Sequence, residues 1–249
     1  MEPQEKLLIA RAADALERSG RFYNLNAVGF LNPHEAALIK REVHGTPDVR
    51  CEFFGGYEEA ERRMFFSYPV FSEPDFGEFI TAVRLTGRDI SSLSHRDFLG
   101  SLMGLGIKRE NVGDIVPCGD ECLIFLKPKM AEYLTLNLTK IGRCGINAKV
   151  CGLGGISLPK RETKSKAASV SSLRLDCIVA AAVNMSRSRA AELIKAESVS
   201  LNFEPALSVS KAVESGDVIS VRKHGRFRLA EIKGRTRKGR ISVIIEKYI

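Results

Sequence analysis

Histidine is scarce in this sequence. The four present, at positions 34, 44, 95 and 224, stand beside no cysteine or serine at a spacing that pairs a base with a nucleophile. The six cysteines, at 51, 118, 122, 144, 151 and 177, give the spacings C-x3-C and C-x6-C, with no C-x2-C unit and no nearby histidine. Zinc-finger patterns are thereby disfavoured, and reduced thiols are expected, with no structural metal and no disulfide. Long apolar runs are also missing. No stretch approaches the roughly 20 residues of a membrane span, and the opening segment MEPQEKLLIARAADALERSG mixes charges into helical spacing, unlike a signal peptide. A cytoplasmic protein is expected. There is no G-x4-G-K-(S/T), and Gly152, Gly154 and Gly155 lead toward Pro159 rather than into a helix, so no cofactor is expected.

The chain does carry an uneven charge. Its 249 residues hold 38 Lys+Arg and 30 Asp+Glu, a net +8. Residues 1–156 contain 19 Lys+Arg and 21 Asp+Glu, net −2, whereas residues 157–249 contain 19 and 9, net +10. Such asymmetry points to a polyanion partner for the C-terminal part. Nucleic acid fits better than a membrane surface, because no basic amphipathic helix bears bulky apolar anchors.

Periodicity suggests an α+β chain. Residues 1–75 read as a small α/β N-terminal unit, with helices over Lys6–Ser19 and from Asn32-Pro33 to near Gly45. Its strands are Val49–Phe54 and Met64–Tyr68, separated by GGYEEAERR, whose middle favours helix. Residues 76–156 follow the order strand (Phe79–Leu85), helix (Arg96–Leu105), strand (Gly113–Cys118), strand (Glu121–Leu126), helix (Lys129–Lys140) and strand (Asn147–Cys151). This βαββαβ order is that of the ferredoxin-like fold shared by RRM domains, whose free sheet face binds RNA. The third strand, ECLIFLK, offers only Phe125 for base stacking. Residues 157–172, SLPKRETKSKAASVSS, read as an exposed basic linker and as the most protease-sensitive internal segment. Its Lys160, Arg161, Lys164 and Lys166 are positioned to touch phosphate.

Residues 173–249 follow as a helix pair with a small sheet. Leu175, Ile178, Val179 and Ala182 make one apolar stripe, and Ala190, Leu193 and Ile194 make the next. Ser186 is placed to cap the second helix, which leaves Arg187 and Arg189 in its first turn. Cations oppose the helix dipole there, so folding alone does not explain them; a bound phosphate would. Strands follow at Val199–Asn202, Val218–Arg222, Phe227–Ile232 and Ile241–Lys247, with two basic loops or hairpins between them, Arg222–Arg228 and Lys233–Arg240.

The segment MSRSRA at 185–190, followed by Val199, Leu201 and Asn202, resembles the RNA-binding domain first known from ribosomal small-subunit protein four. That family usually has glycine where this chain has Glu197. Over its full length the chain resembles the YlmH family of bacterial RNA-binding proteins, through FFGGYEEAERR at 53–63, SHRDFLGSLMGLGIKRENVGDI at 94–115 and the domain from 173 onward. The resemblance implies a non-catalytic factor that binds structured RNA (rRNA or tRNA) at the ribosome, on the large subunit or a stalled complex, with a link to cell division. The phosphate-pairing residues would be Arg174, Arg187, Arg189, Lys195, Arg222, Lys223, Arg226 and Arg228, with Ser186, Ser188 and Asn202 adding shorter hydrogen bonds. One face is expected to gather these arginines. Neither Arg187 nor Arg189 belongs to an apolar stripe, so replacing both is expected to weaken RNA binding with little effect on thermal stability.

An RNA-modifying enzyme of the pseudouridine synthase kind is the alternative. Gly87-Arg88-Asp89 or His95-Arg96-Asp97 would supply the acidic residue, although the R-L-D tripeptide of those enzymes is absent from this middle domain. Asp97 has a simpler reading, as the third residue of a helix capped by Ser94.

Overall fold

Helix α1 (Pro3–Phe22) buries only small side chains, Ala12, Ala15 and Ser19. In this computed structural model, which describes residues 3–154, 156, 158, 163–236 and 239–248, those residues face a three-stranded antiparallel sheet. The sheet comprises β1 (Asn26–Leu31), then, after helix α2 (Pro33–Glu42), β2 (Val49–Phe54) and β3 (Arg63–Pro69), in the order β1-β3-β2. The α2 start is dictated locally. Asn32 Oδ1 accepts the Glu35 N–H at 2.9 Å, Glu35 Oε2 accepts the Asn32 N–H at 2.6 Å, and Pro33 opens the helix. Strand β1 was not legible in the sequence, because Asn26 and Gly29 dilute its apolar pattern.

A second sheet follows, built from β4 (Thr81–Thr86), helix α3 (His95–Gly104), β5 (Val112–Cys118), β6 (Glu121–Leu126), helix α4 (Pro128–Asn137), a short hairpin of β7 (Lys140–Ile141) and β8 (Cys144–Gly145), and β9 (Asn147–Val150). All its pairings are antiparallel, in the order β5-β6-β4-β9. One face packs Val83, Leu85, Ile124 and Leu126 against Phe98 and Leu102 of α3 and Ala131 and Leu134 of α4.

The opposite face is not free. Ala82 and Phe125 share a core with Phe30, Met64, Phe66 and Tyr68 of the first sheet, and Phe125 is fully buried, its ring 5.0 Å from that of Tyr57. Residues 1–159 accordingly form one compact unit, where the sequence suggested a break near residue 75. Apolar residues that alternate on both faces of a strand require a cover on both.

Part of the cover is the turn-rich segment at 55–62, which takes no helical conformation despite its glutamates and alanine. Gly56 has φ +100°, and a Cβ there would lie 2.4 Å from Phe125 Cδ1. The segment is pinned by Asp114, which is 6% exposed. Its carboxylate accepts from Tyr57 Oη at 2.6 Å, from the Glu61 N–H at 2.8 Å and from the Arg62 N–H at 3.0 Å. Arg62 in turn donates to the carbonyls of Val112 (3.0 Å) and Phe30 (2.6 Å), and Arg109 to those of Val112 (2.7 Å) and Gly113 (3.1 Å). Burial, with Arg62 alongside, pulls the Arg109 guanidinium down to about 10. FFGGYEEAERR and the end of SHRDFLGSLMGLGIKRENVGDI thus meet at one buried carboxylate, as structural partners.

The second unit, Lys160–Ile249, has a hydrophobic core of its own. It contains β10 (Thr163–Val170), helices α5 (Leu175–Val183) and α6 (Arg187–Lys195), β11 (Val199–Leu201), β12 (Glu204–Pro205), β13 (Val218–Val221), β14 (Gly225–Arg235) and β15 (Ile241–Tyr248). The six strands form one sheet in the order β10-β15-β14-β13-β11-β12. Ile178, Val179, Ala190 and Ile194 of the helices pack on Leu229, Val243 and Ile245.

Here the expected linker differs from the structure. Residues 163–170 pair with β15 along their whole length, and Val170 joins the core. The alternation is Lys164, Lys166, Ala168, Val170 on one face, and lysines at the first two positions hid the strand period from a hydrophobicity reading. Lys160 and Arg161 lie outside the described residues. Among the described residues, no helix is long and apolar enough to cross a membrane.

Candidate nucleic-acid interface

The interface residues hang on the α5–α6 corner. Asn184 ends α5 in the left-handed conformation (φ 58°), and Lys166 Nζ donates to it and, at 2.7 Å, to the Ala181 carbonyl, placing a cation at a helix C-terminus. Two residues later Ser186 caps α6, its Oγ accepting the Arg189 N–H at 3.2 Å. The expected cap is therefore present, and it uses the hydroxyl that was also assigned to RNA. Ser188 is exposed in the first turn.

The arginines at this corner are not equivalent. Arg187 Nη2 donates to Asp176 Oδ2 at 2.7 Å, and Arg174 Nε to Asp176 Oδ1 at 3.1 Å. Asp176 sits in the first turn of α5, with its side chain 5% exposed, while those of Arg174 and Arg187 are 43% and 55% exposed. Burial pushes the Asp176 carboxyl up, but Arg187 and Arg174 outweigh it and hold it below the ordinary carboxylate value. Asp176 escaped the sequence reading, because an acidic residue at a helix start looks like a dipole partner; two arginines 2 and 11 positions away were the only hint. The expectation that Arg187 can be removed without cost is corrected accordingly, since its loss strips a buried carboxylate of its closest cation. Arg189 pairs with Glu192 at 2.6 Å on an open helix face, both side chains more than 60% exposed. Such a pair contributes little and yields readily to a phosphate. Lys195 is exposed in the last turn of the same helix.

The remaining candidates divide. Arg222 and Lys223 are exposed at the β13–β14 turn, with Lys223 at φ 70°. Arg226 and Arg228 alternate with Phe227 and Leu229, which are buried in the core beneath the helices. They therefore project from the other sheet face, where Arg226 lies 5.3 Å above the Phe203 ring and Arg228 Nη2 binds Glu246 at 2.8 Å. The single arginine face expected from the sequence is thus split between two sides of the sheet. Asn202 is committed to the fold: its Nδ2 donates to Asp217 at 2.8 Å, and its Oδ1 accepts the Val218 N–H at 2.9 Å. Arg237 and Lys238, in the second basic segment, lie outside the described residues.

Glu197 adopts the left-handed conformation (φ 51°) that its glycine counterpart would take. Its N–H bonds the Ile194 carbonyl at 3.0 Å, and the Ser198 N–H bonds that of Leu193 at 2.9 Å, which completes a Schellman-type helix end. In the first unit, Asp97 Oδ2 accepts the Ser94 N–H at 2.8 Å and its Oγ–H at 2.6 Å. These bonds from Ser94 hold the Asp97 carboxyl below its ordinary value and account for it at a helix start.

Residues 72–153 match the family described as "Putative RNA-binding domain in YlmH". The chain is 31% identical over 227 residues, 90% of its length and 88% of the relative's, to the Bacillus subtilis (strain 168) protein named ribosome-associated protein quality control protein P2. A solved structure, the cell division protein ylmH from Streptococcus pneumoniae, matches with a TM-score of 0.52 at 19% identity, over 61% of this chain and 93% of that one, a likeness of fold. With a relative matched at that identity over nearly the whole chain, this protein belongs to the YlmH family of RNA-binding proteins.

Proposed function

We propose that the chain is a non-catalytic, cytoplasmic RNA-binding factor that recognises structured RNA, rRNA or tRNA, on the ribosome, at the large subunit or in a stalled complex. The observation that carries this reading is the α6 start: Arg187 and Arg189 flank a capped helix N-terminus in a segment of net +10, where the dipole favours an anion. The named role of the Bacillus subtilis relative supports the ribosome as the place of action, and the name of the Streptococcus pneumoniae structure keeps a cell-division role in view. In this reading the C-terminal helix pair and sheet act as a domain of the ribosomal small-subunit protein four type. Residues 76–156 act as an RRM-like scaffold whose second face serves the fold. Arg189, Lys195, Arg222 and Lys223 supply exposed cations for phosphate, and Arg187 and Arg174 present guanidinium groups already oriented by Asp176.

The test is crosslinking of the full chain to RNA in cells, with sequencing of the bound fragments, in the wild type and in Arg189→Ala/Lys195→Ala. Enrichment of one rRNA or tRNA region that fades in the variant is expected. A wild-type pattern no different from total RNA would defeat the proposal. A base modification at the crosslinked position that disappears with Asp97→Asn, RNA affinity being intact, would replace it with the enzyme reading.

A further inference from the structure

On the helix-bearing face of the second unit, where β10 and β15 run past α5, the structure holds a cleft of about 320 Å³. Ala182, Val183, Phe227 and Ile245 give it an apolar floor, and Lys164, Lys166, Lys247 and His224 stand around it. Lys164 is paired directly with Lys247 across the β10–β15 ladder, and both are exposed. Like charges directly opposed across strands destabilise a sheet. No carboxylate lines this cleft, and no described acidic residue forms an ion pair with either lysine. Glu246, the neighbour of Lys247, is turned to the other face and bound to Arg228. Lys166 is engaged with the α5 C-terminus and closes the inner end. Lys247 Nζ also lies 5.8 Å from the Phe227 ring centroid, which bridges the charged rim to the apolar floor.

From this juxtaposition we infer that the cleft receives one unstacked nucleotide of a bound RNA, with its phosphate between Lys164 and Lys247 and its base against Val183, the half-buried member of the floor. The inference rests on the RNA-binding reading above and gives it a second contact region, one that lies in the segment the sequence presented as linker. Its volume is at the lower end of small-ligand sites, the size a single nucleotide needs. A phosphate removes the repulsion that the free protein retains.

The experiment uses the full chain and a hairpin RNA with a single-stranded loop, and compares wild type, Lys164→Ala/Lys247→Ala and Lys164→Arg/Lys247→Arg. In the alanine pair, affinity should fall, and the slope of log affinity on log salt should flatten by about 0.7 for each lost single-strand contact. The arginine pair should restore both. The thermal midpoint of the free alanine variant should equal or exceed that of wild type, an outcome that lysines serving the fold would not give. An alanine variant with wild-type affinity and salt slope, on a hairpin that wild type binds, overturns the cleft alone. A wild type that fails to bind the hairpin overturns the RNA reading and the cleft with it. Saturable binding of uridine 5′-monophosphate, lost in the alanine pair while hairpin binding is unchanged, would assign the cleft to a free nucleotide and overturn its place in RNA binding.

Discussion

Replacing Asp176 tests whether the α5–α6 corner is preorganised by a buried carboxylate. Asp176→Ala deletes the acceptor of Arg187 Nη2 (2.7 Å), of Arg174 Nε (3.1 Å) and of the Cys177 N–H (3.0 Å). A hydrogen bond to a charged group contributes about 1.5–3 kcal/mol, but the two arginines are half exposed and can turn to water, so their loss leaves no orphaned buried donor. The net cost should be about 2 kcal/mol for the unit, not the sum of the bonds. Since about 1.4 kcal/mol is tenfold in an equilibrium, amide exchange in α5 should accelerate roughly thirtyfold. Arg187→Ala should also destabilise, and adding Asp176→Ala to it should cost less than Asp176→Ala costs alone, because the second change removes a carboxylate already deprived of its partner. Hydrogen exchange followed by mass spectrometry on the full chain reads all three variants. Additive effects, or exchange unchanged in Asp176→Ala, would refute the argument. The pH dependence has a fixed sign. The folded carboxyl is held below its unfolded value of about 3.9, so its stabilisation is complete above that pH and is lost as pH falls through the folded value. Wild type should therefore lose α5 protection on acidification below about pH 4 more steeply than Asp176→Ala.

Glu197→Gly should stabilise the protein by about 1 kcal/mol, since a non-glycine residue at φ 51° carries a steric cost that glycine avoids; a lower urea midpoint would contradict this. Gly56→Ala should destabilise by about 3 kcal/mol, because the new Cβ meets the Phe125 ring at 2.4 Å with the backbone at φ +100°, and wild-type thermal unfolding would count against it. Tyr57→Phe should cost about 1–2 kcal/mol by removing the 2.6 Å bond to Asp114, with no effect on RNA affinity if this network serves the fold alone. Trypsin under native conditions should spare the bonds after Lys164 and Lys166, which β15 pairs throughout; early cleavage there would refute the strand. A fragment spanning residues 173–249 keeps a net +7 but lacks β10, so its core should unfold more readily than that of a fragment beginning ahead of Thr163.

Local chemistry carried much of this protein into view. The Asn32–Glu35 box, the Ser94–Asp97 start, the Ser186 cap and the order β4, α3, β5, β6, α4, β9 are each set by residues within a few positions of one another, so reading the chain was enough to find them; the β7–β8 hairpin, whose Lys140 reads as helix in the sequence, was not. The excess of positive charge after residue 156 is likewise a property of sequence alone. Contacts made at long separation were not legible. Nothing near Phe125 in sequence shows that its face of the sheet is covered; residues 55–62, 63–70 positions earlier in the chain, help to bury it. Arg187 looked free until α5 brought Asp176 beneath it, and Arg226 and Arg228 looked like companions of the helix start until strand alternation sent them to the other face. Lys164 and Lys166 read as linker because a strand with lysines on its inward side breaks the apolar period; only pairing with β15, some 80 residues later, fixes them opposite Lys247. Sequence determines which residues cap, alternate and carry charge, since those preferences act over a few bonds. Which charges are neutralised and which remain to meet an anion depends on burial and cross-strand register, and only the tertiary structure decides those.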